Sequence, residues 1–170
     1  MTSLDTSAQT QTSATGDPTA LLSIIIPNWN GARFLPVCLD SLAHQTYTSI
    51  EVLVVDNDSQ DESKELLETR YPWVRLIALP ENRGFTGACN AGRIAARGVY
   101  IALLNNDTEV DPNWAWAVVD AFERHPEIGS VASKMLLFDK RDHIHTAGDF
   151  FTRDGRAGNR GVWQRDEGQF

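Results

Sequence analysis

The stretch Leu21-Leu22-Ser23-Ile24-Ile25-Ile26, running into Pro27-Asn28-Trp29-Asn30-Gly31, decides how the rest of the chain is read. Three consecutive isoleucines in a short, nearly continuous apolar run predict a strand covered on both faces, which is the pattern of a parallel sheet. A turn at Asn28–Gly31 and a helix over Ala32–Gln45 follow, with Phe34, Leu35, Cys38, Leu39 and Leu42 on one stripe. Pro36 falls in the first turn of that helix, where a missing N–H does little harm.

The same grammar repeats downstream. Ile50–Val55 predicts a second buried strand, closed by Asp56-Asn57-Asp58-Ser59. Asp61 or Ser59 is placed to cap a helix that carries Leu66 and Leu67 and stops before Pro72. Val74–Leu79 reads as a third strand, and Glu81-Asn82-Arg83-Gly84 leads into a small-residue helix from Phe85 to about Arg97, ended by Gly98. Tyr100–Leu104 reads as a fourth strand. Strand and helix alternating in this way predict βαβ units: an α/β fold, with a mostly parallel central sheet and helices on both faces. Pro112-Asn113-Trp114 opens another helix that ends near Arg124-His125-Pro126, and Ile128–Phe138 predicts one or two further strands. Beyond Asp142 the pattern weakens; Phe150-Phe151 reads as a strand, and Thr152–Gly161 as a mobile loop.

Bulk properties narrow the function. A chain of 170 residues suffices for one domain with a real core. Its net charge of -8 argues against a nucleic-acid partner, which usually meets a basic face. An acidic protein can still bind a phosphorylated ligand if a divalent cation or a local arginine offsets the repulsion. Cys38 and Cys89 have no disulfide-framework spacing and read as reduced core thiols of a cytosolic protein. The sequence has no signal-peptide pattern and no apolar run near the ~20 residues that span a bilayer. Residues 1–20, rich in Thr, Ser, Ala and Gln, read as a disordered lead-in, with a single domain over 21–170.

Open α/β sheets bind ligands beyond the carboxyl ends of their strands, so Asn28, Asp56, Asn82 and Asp107 are expected to face one crevice, suited to a nucleotide. Asp56 can accept from a pyrimidine N–H or ribose hydroxyls, or it can be a turn aspartate. Arg83, beside Gly84 at a helix start, suits a pyrophosphate; a solvated loop arginine is the plainer reading. Asn105-Asn106-Asp107 offers hard oxygen ligands for Mg²⁺ or Mn²⁺ beside a diphosphate, or a simple turn. Glu109 and Asp111 read as solvated or helix-start acids, and His143 and His145 as a surface pair rather than a metal pair. Trp29 is a candidate wall for a base pocket. The first strand-to-helix turn lacks G-x-G-x-x-G, which argues against a dinucleotide-dependent oxidoreductase.

Taken as a set, Ser23–Gly31, Val54–Ser59, Asn82–Phe85 with Asn90-Ala91-Gly92, and Leu103–Thr108 resemble the nucleotide-binding half of a family 2 inverting glycosyltransferase with the GT-A fold, a Rossmann-like sandwich. The Asn105-Asn106-Asp107-Thr108 variant looks most like the bacterial rhamnosyltransferase-like branch. The resemblance implies a UDP- or dTDP-sugar donor, a Mg²⁺ or Mn²⁺ cofactor, and single-displacement transfer with inversion to a saccharide or lipid-linked acceptor. It assigns donor binding to Pro27, Asn28, Trp29, Asn30, Asp56, Asp58, Asn82, Arg83, Gly84, Asn105 and Asn106, and the metal to Asp107. It also implies a cytoplasmic enzyme of cell-envelope polysaccharide synthesis, peripheral at the inner face of the plasma membrane. Two departures stand out. An amide, Asn105, occupies a position usually held by an acid. The family's general base is expected beyond Phe170, since Asp149, Asp154, Asp166 and Glu167 fall outside its motif. The chain therefore reads as truncated before its acceptor half, with a non-catalytic donor-binding fragment as the alternative.

Overall fold

The computed structural model describes residues 19–170. Four parallel strands form the central sheet in the order β3-β2-β1-β4: β1 (Leu22–Asn28), β2 (Ile50–Asp56), β3 (Arg75–Ala78) and β4 (Tyr100–Leu103). β1 is paired on both sides, and every residue from Leu22 to Ile26 is buried. Burying each of those isoleucines contributes about 1.5–3 kcal/mol.

The two sheet faces carry different helices. Ile24 and Ile26 pack with α1 (Leu35–Ala43), with Leu67 of α2 (Ser63–Arg70), and with Ala115, Val118 and Val119 of α4 (Trp114–Arg124). Ile25 and Val55 face the other way, against Ala88 of α3 (Gly84–Ala95). The expected helices on both faces are present. β4 sits at the sheet edge, and its Ile101 and Leu103 are exposed. Register places those two side chains on the face of Ser23 and Ile25, where α3 packs against β1 and β2.

Several boundaries differ from the sequence reading. The first helix begins only at Leu35, because the chain around Gly31 is still turning: its carbonyl accepts from the Phe34 and Leu35 N–H groups. The third helix ends at Ala95, where Ala96 is already extended. Gly98 is therefore not a left-handed cap. A Cβ there would lie 2.6 Å from the Leu21 carbonyl oxygen, so glycine is required by close approach to β1. Pro112 precedes α4, and its carbonyl accepts from the Thr46 N–H.

The lead-in expected over residues 1–20 lies outside the described residues up to position 18. Thr19 and Ala20 are already tied down, by the Ser49 and Tyr47 hydroxyls respectively. At the other end, the Ile128–Phe138 region yields one short strand, β5 (Met135–Leu137), antiparallel to β6 (Lys140–Thr146). The strand read at Phe150-Phe151 is present as β7 (Asp149–Phe151); within Thr152–Gly161, read as a mobile loop, β8 (Ala157–Asn159) pairs with it as an antiparallel hairpin. The Phe150 ring lies on Gly158, filling the space a side chain would take. Among the described residues no helix is long and apolar enough to cross a membrane.

Candidate functional site

All four parallel strands deliver their carboxyl ends to one edge of the sheet, and the polar residues at those tips bond to each other. Asn28 and Asp56 are paired in register, while Asn106 falls opposite Asn28 by extension of the β1–β4 register past Ile25 and Leu103. The Asn28 Nδ2 donates to Asp56 Oδ2 at 3.2 Å and to Ser59 Oγ at 3.3 Å. Its Oδ1 accepts from Asn106 Nδ2 at 2.8 Å. A Cβ on Gly31 would lie 2.2 Å from both ends of that Asn28–Asn106 bond, so a bare backbone must pass beneath it.

Asp56 exposes none of its side chain. Its Oδ1 accepts from the Ser59 N–H at 3.1 Å and lies 3.5 Å from Lys64 Nζ. Asn28 is 1% exposed. The sequence reading expects both to bind the donor; in the structure both are buried beneath the strand tips. What faces solvent at the tips is Trp29, Asn30, Asn82, Arg83, Gly84, Asn105 and Asp107, with Pro27 and Asp58 half-buried. Asn30, Asp58 and Gly84 have positive φ of 50°, 65° and 67°. At Gly84 it is the conformation, not space, that favours glycine, since a Cβ would meet nothing within 4 Å.

A second amide cluster joins the β2 tip to the start of α3. Asn57 is nearly buried; its Nδ2 donates to Asn82 Oδ1 at 2.9 Å and to the Gly84 carbonyl at 3.2 Å, and its Oδ1 accepts from the Arg83 N–H at 2.8 Å. Sequence reasoning assigned Asn57 only a turn. Its place in Val54–Ser59, one residue past a buried strand end, was the available signal. Arg83 itself is half-exposed, with Nε 3.4 Å from Glu81 Oε1. Asp61 links the first two turns, accepting from Ala32 and Ser63 N–H groups. Burial opposes ionisation of Asp61, but those hydrogen bonds more than offset it and hold its carboxyl below the usual range.

The loop after β4 rests on α1. Cys38 Sγ approaches the Asn105 carbonyl at 3.8 Å, and Thr108 Oγ1 donates to the same oxygen at 2.7 Å. Burial pushes the Cys38 thiol up to about 12, with Thr108 opposing and the Asp107 charge adding to the effect. Farther along, Glu109 is not a free acid: Arg141 grips both its oxygens at 2.9 and 2.7 Å. His143 and His145 lie on β6, and His143 turns its Nδ1 to Asp142.

Among the described residues no three His, Cys, Asp or Glu side chains gather into a metal cage. Asp107 is one exposed carboxylate beside the amides of Asn105 and Asn106. That donor set fits a hard cation which takes one protein carboxylate and completes its shell with ligand phosphate and water. It does not fit a cation held by protein alone.

The architecture is an open α/β domain with a polar cluster of mutually bonded amides and carboxylates at its strand tips. The sequence profile of Glycosyl transferase family 2 matches residues 23–167, and the chain belongs to that family. Chondroitin synthase of Escherichia coli is 30% identical over 139 residues, which is 80% of this chain and 20% of that protein. Succinoglycan biosynthesis protein ExoO of Rhizobium meliloti is 34% identical over 128 residues, covering 75% of this chain and 35% of that one. The chain thus spans well under half the length of these curated relatives. Among solved structures, Staphylococcus aureus TarS 1–349 superposes with a TM-score of 0.58 at 19% identity, over 71% of this chain and 43% of that one. TarS 1–349 has also been solved in complex with UDP and with UDP-GlcNAc.

Proposed function

We propose that this chain is the donor-binding portion of a metal-assisted, inverting glycosyltransferase that uses a UDP- or dTDP-sugar. The observation that carries the reading is the Asp56–Asn28–Asn106 chain of hydrogen bonds, which ties together the ends of β2, β1 and β4 inside a family 2 match. The uridine nucleotides seen with TarS support UDP as the first ligand to test.

In this reading Trp29 and Asn30 border the nucleoside, and Pro27, Asp58 and buried Asp56 shape the floor behind it. The α3 start, with Asn82, Arg83 and Gly84, receives the diphosphate through the positive end of the helix and the Arg83 guanidinium. Asn105, Asn106 and Asp107 lie at the diphosphate, with Asp107 as protein ligand to Mg²⁺ or Mn²⁺. A cation bound there neutralises charge developing on the departing nucleoside diphosphate. The Asn105-Asn106-Asp107-Thr108 tetrapeptide is the sole support for a rhamnosyltransferase-like branch. ExoO and chondroitin synthase support a role in polysaccharide synthesis; a saccharide or lipid-linked acceptor and a cytoplasmic site at the membrane face rest on the family resemblance alone.

A second reading, donor binding without transfer, is favoured by the state of the C-terminal acids. Asp154 pairs with Arg156 at 3.0 Å and Asp166 with Lys134 at 2.7 Å, so neither stands ready to take an acceptor proton. Calorimetry with UDP and dTDP, with and without Mn²⁺, tests the donor site, and Asp107→Ala should abolish the metal dependence. Equal affinity of parent and variant in Mn²⁺ removes the metal role. Turnover of a UDP-sugar by this chain removes the second reading.

A further inference from the structure

We propose that Asn28 is a positioning residue that couples the nucleoside end of the crevice to its cation end, an inference that rests on the donor-site reading above. The chemistry of three side chains fixes the direction of the relay. An ionised carboxylate only accepts, so Asp56, beside Lys64, obliges Asn28 to present its Nδ2. That leaves Asn28 with its carbonyl oxygen toward Asn106, which must then present its own Nδ2. The β2 tip thereby sets the amide orientation of the residue next to Asp107, on another strand's loop. Ser59 Oγ takes the second Nδ2 contact of Asn28 and also accepts from the Asn30 N–H at 2.9 Å, which brings the Trp29–Asn30 turn into the same network.

Burial turns this bonding into coupling. Asn28 is 1% exposed, so water does not readily replace Asn106 if the β4 loop moves, and a buried carbonyl oxygen left without a donor is disfavoured. The β1–β2 tips and the Asn105–Asp107 loop therefore order together. A ligand that holds one favours the arrangement that receives a ligand at the other, and the effect is equal in both directions.

Uridine and Mg²⁺ share no atoms, so any mutual effect between them must pass through the protein. Chemical-shift titrations of the ¹⁵N-labelled chain with uridine, at zero and saturating Mg²⁺, read that effect directly. In the parent, Mg²⁺ should tighten uridine about fivefold. In Asn28→Ala the factor should fall to about one. Asn106→Ala should do the same while leaving the bonds of Asn28 to Asp56 and Ser59 intact, so it carries the test if the first variant does not fold. A factor unchanged in the folded variants, or a factor of one in a parent that binds both ligands, overturns the relay. A parent that binds neither uridine nor UDP overturns the donor site itself, before any variant is made.

Discussion

Gly92 on α3 presses so closely on Ile25 of β1 that a Cβ at that position would lie 2.3 Å from the Ile25 Cγ2 and 3.0 Å from the Val55 Cγ2. The helix whose start carries Arg83 and Gly84 is seated by the absence of a side chain. Gly92→Ala should therefore cost about 1–3 kcal/mol in overpacking, read as a lower urea midpoint. Gly129→Ala, where a Cβ meets nothing within 4 Å, should change the midpoint little. Similar midpoints for the two variants would show that α3 is free to shift.

Asn57 ties Asn82, Arg83 and Gly84 to the β2 tip through three hydrogen bonds from a nearly buried amide. Asn57→Ala strands several of those partners and should destabilise by about 1–3 kcal/mol. UDP affinity should fall with it, and the amides of residues 82–86 should exchange hydrogen faster than in the parent. Unchanged exchange there would remove the clamp.

Glu51 fastens the opposite end of the sheet. It accepts from the Ser23 hydroxyl at 2.5 Å and from the Arg97 N–H at 2.6 Å. Burial alone would raise its pKa; those bonds and the charges of Arg97 and Arg75 more than offset this, leaving it below the usual value. A carboxyl lowered in the folded state stabilises above its unfolded value, about 4.3, and loses that contribution as pH falls through the lower folded value. The stability gap between parent and Glu51→Gln should thus be full at pH 7 and shrink below about pH 4. A gap that stays constant down to pH 3 would contradict the assignment.

The Cys38 thiol, pushed up to about 12, and the buried Cys89, also raised by burial, should resist alkylation at pH 8 in the native state. Labelling of both with a thiol reagent should follow urea unfolding. Rapid native labelling of Cys38 would mean that the loop bearing Asp107 lifts away from α1.

Much of this fold was legible because Ile24, Ile25 and Ile26 admit few alternatives to a strand buried on both faces. The repeat of strand, polar tip and helix then placed the polar residues at one edge of the sheet. What the pattern lacked was direction. That Asp56 and Asn28 are buried and bonded to each other was not readable, since the neighbouring strands decide it. Gly98 read as a helix end because its close neighbour, Leu21, is far away in sequence. Only β7 of the β7–β8 hairpin was readable, from Phe150-Phe151; β8 escaped because Arg153, Gly155 and Arg156 carry no alternation, whereas the pairing is made by backbone groups and by Phe150 lying on Gly158.

The space above Gly31 is filled by the Asn28–Asn106 hydrogen bond and has no room for a methyl group. That residue is thus a written marker of the brace. A related chain with glycine there retains the option of the same cross-strand amide bond, and one with a larger residue must have separated its strand tips by other means. Saturation mutagenesis at this codon, selected for nucleotide binding, should return glycine alone.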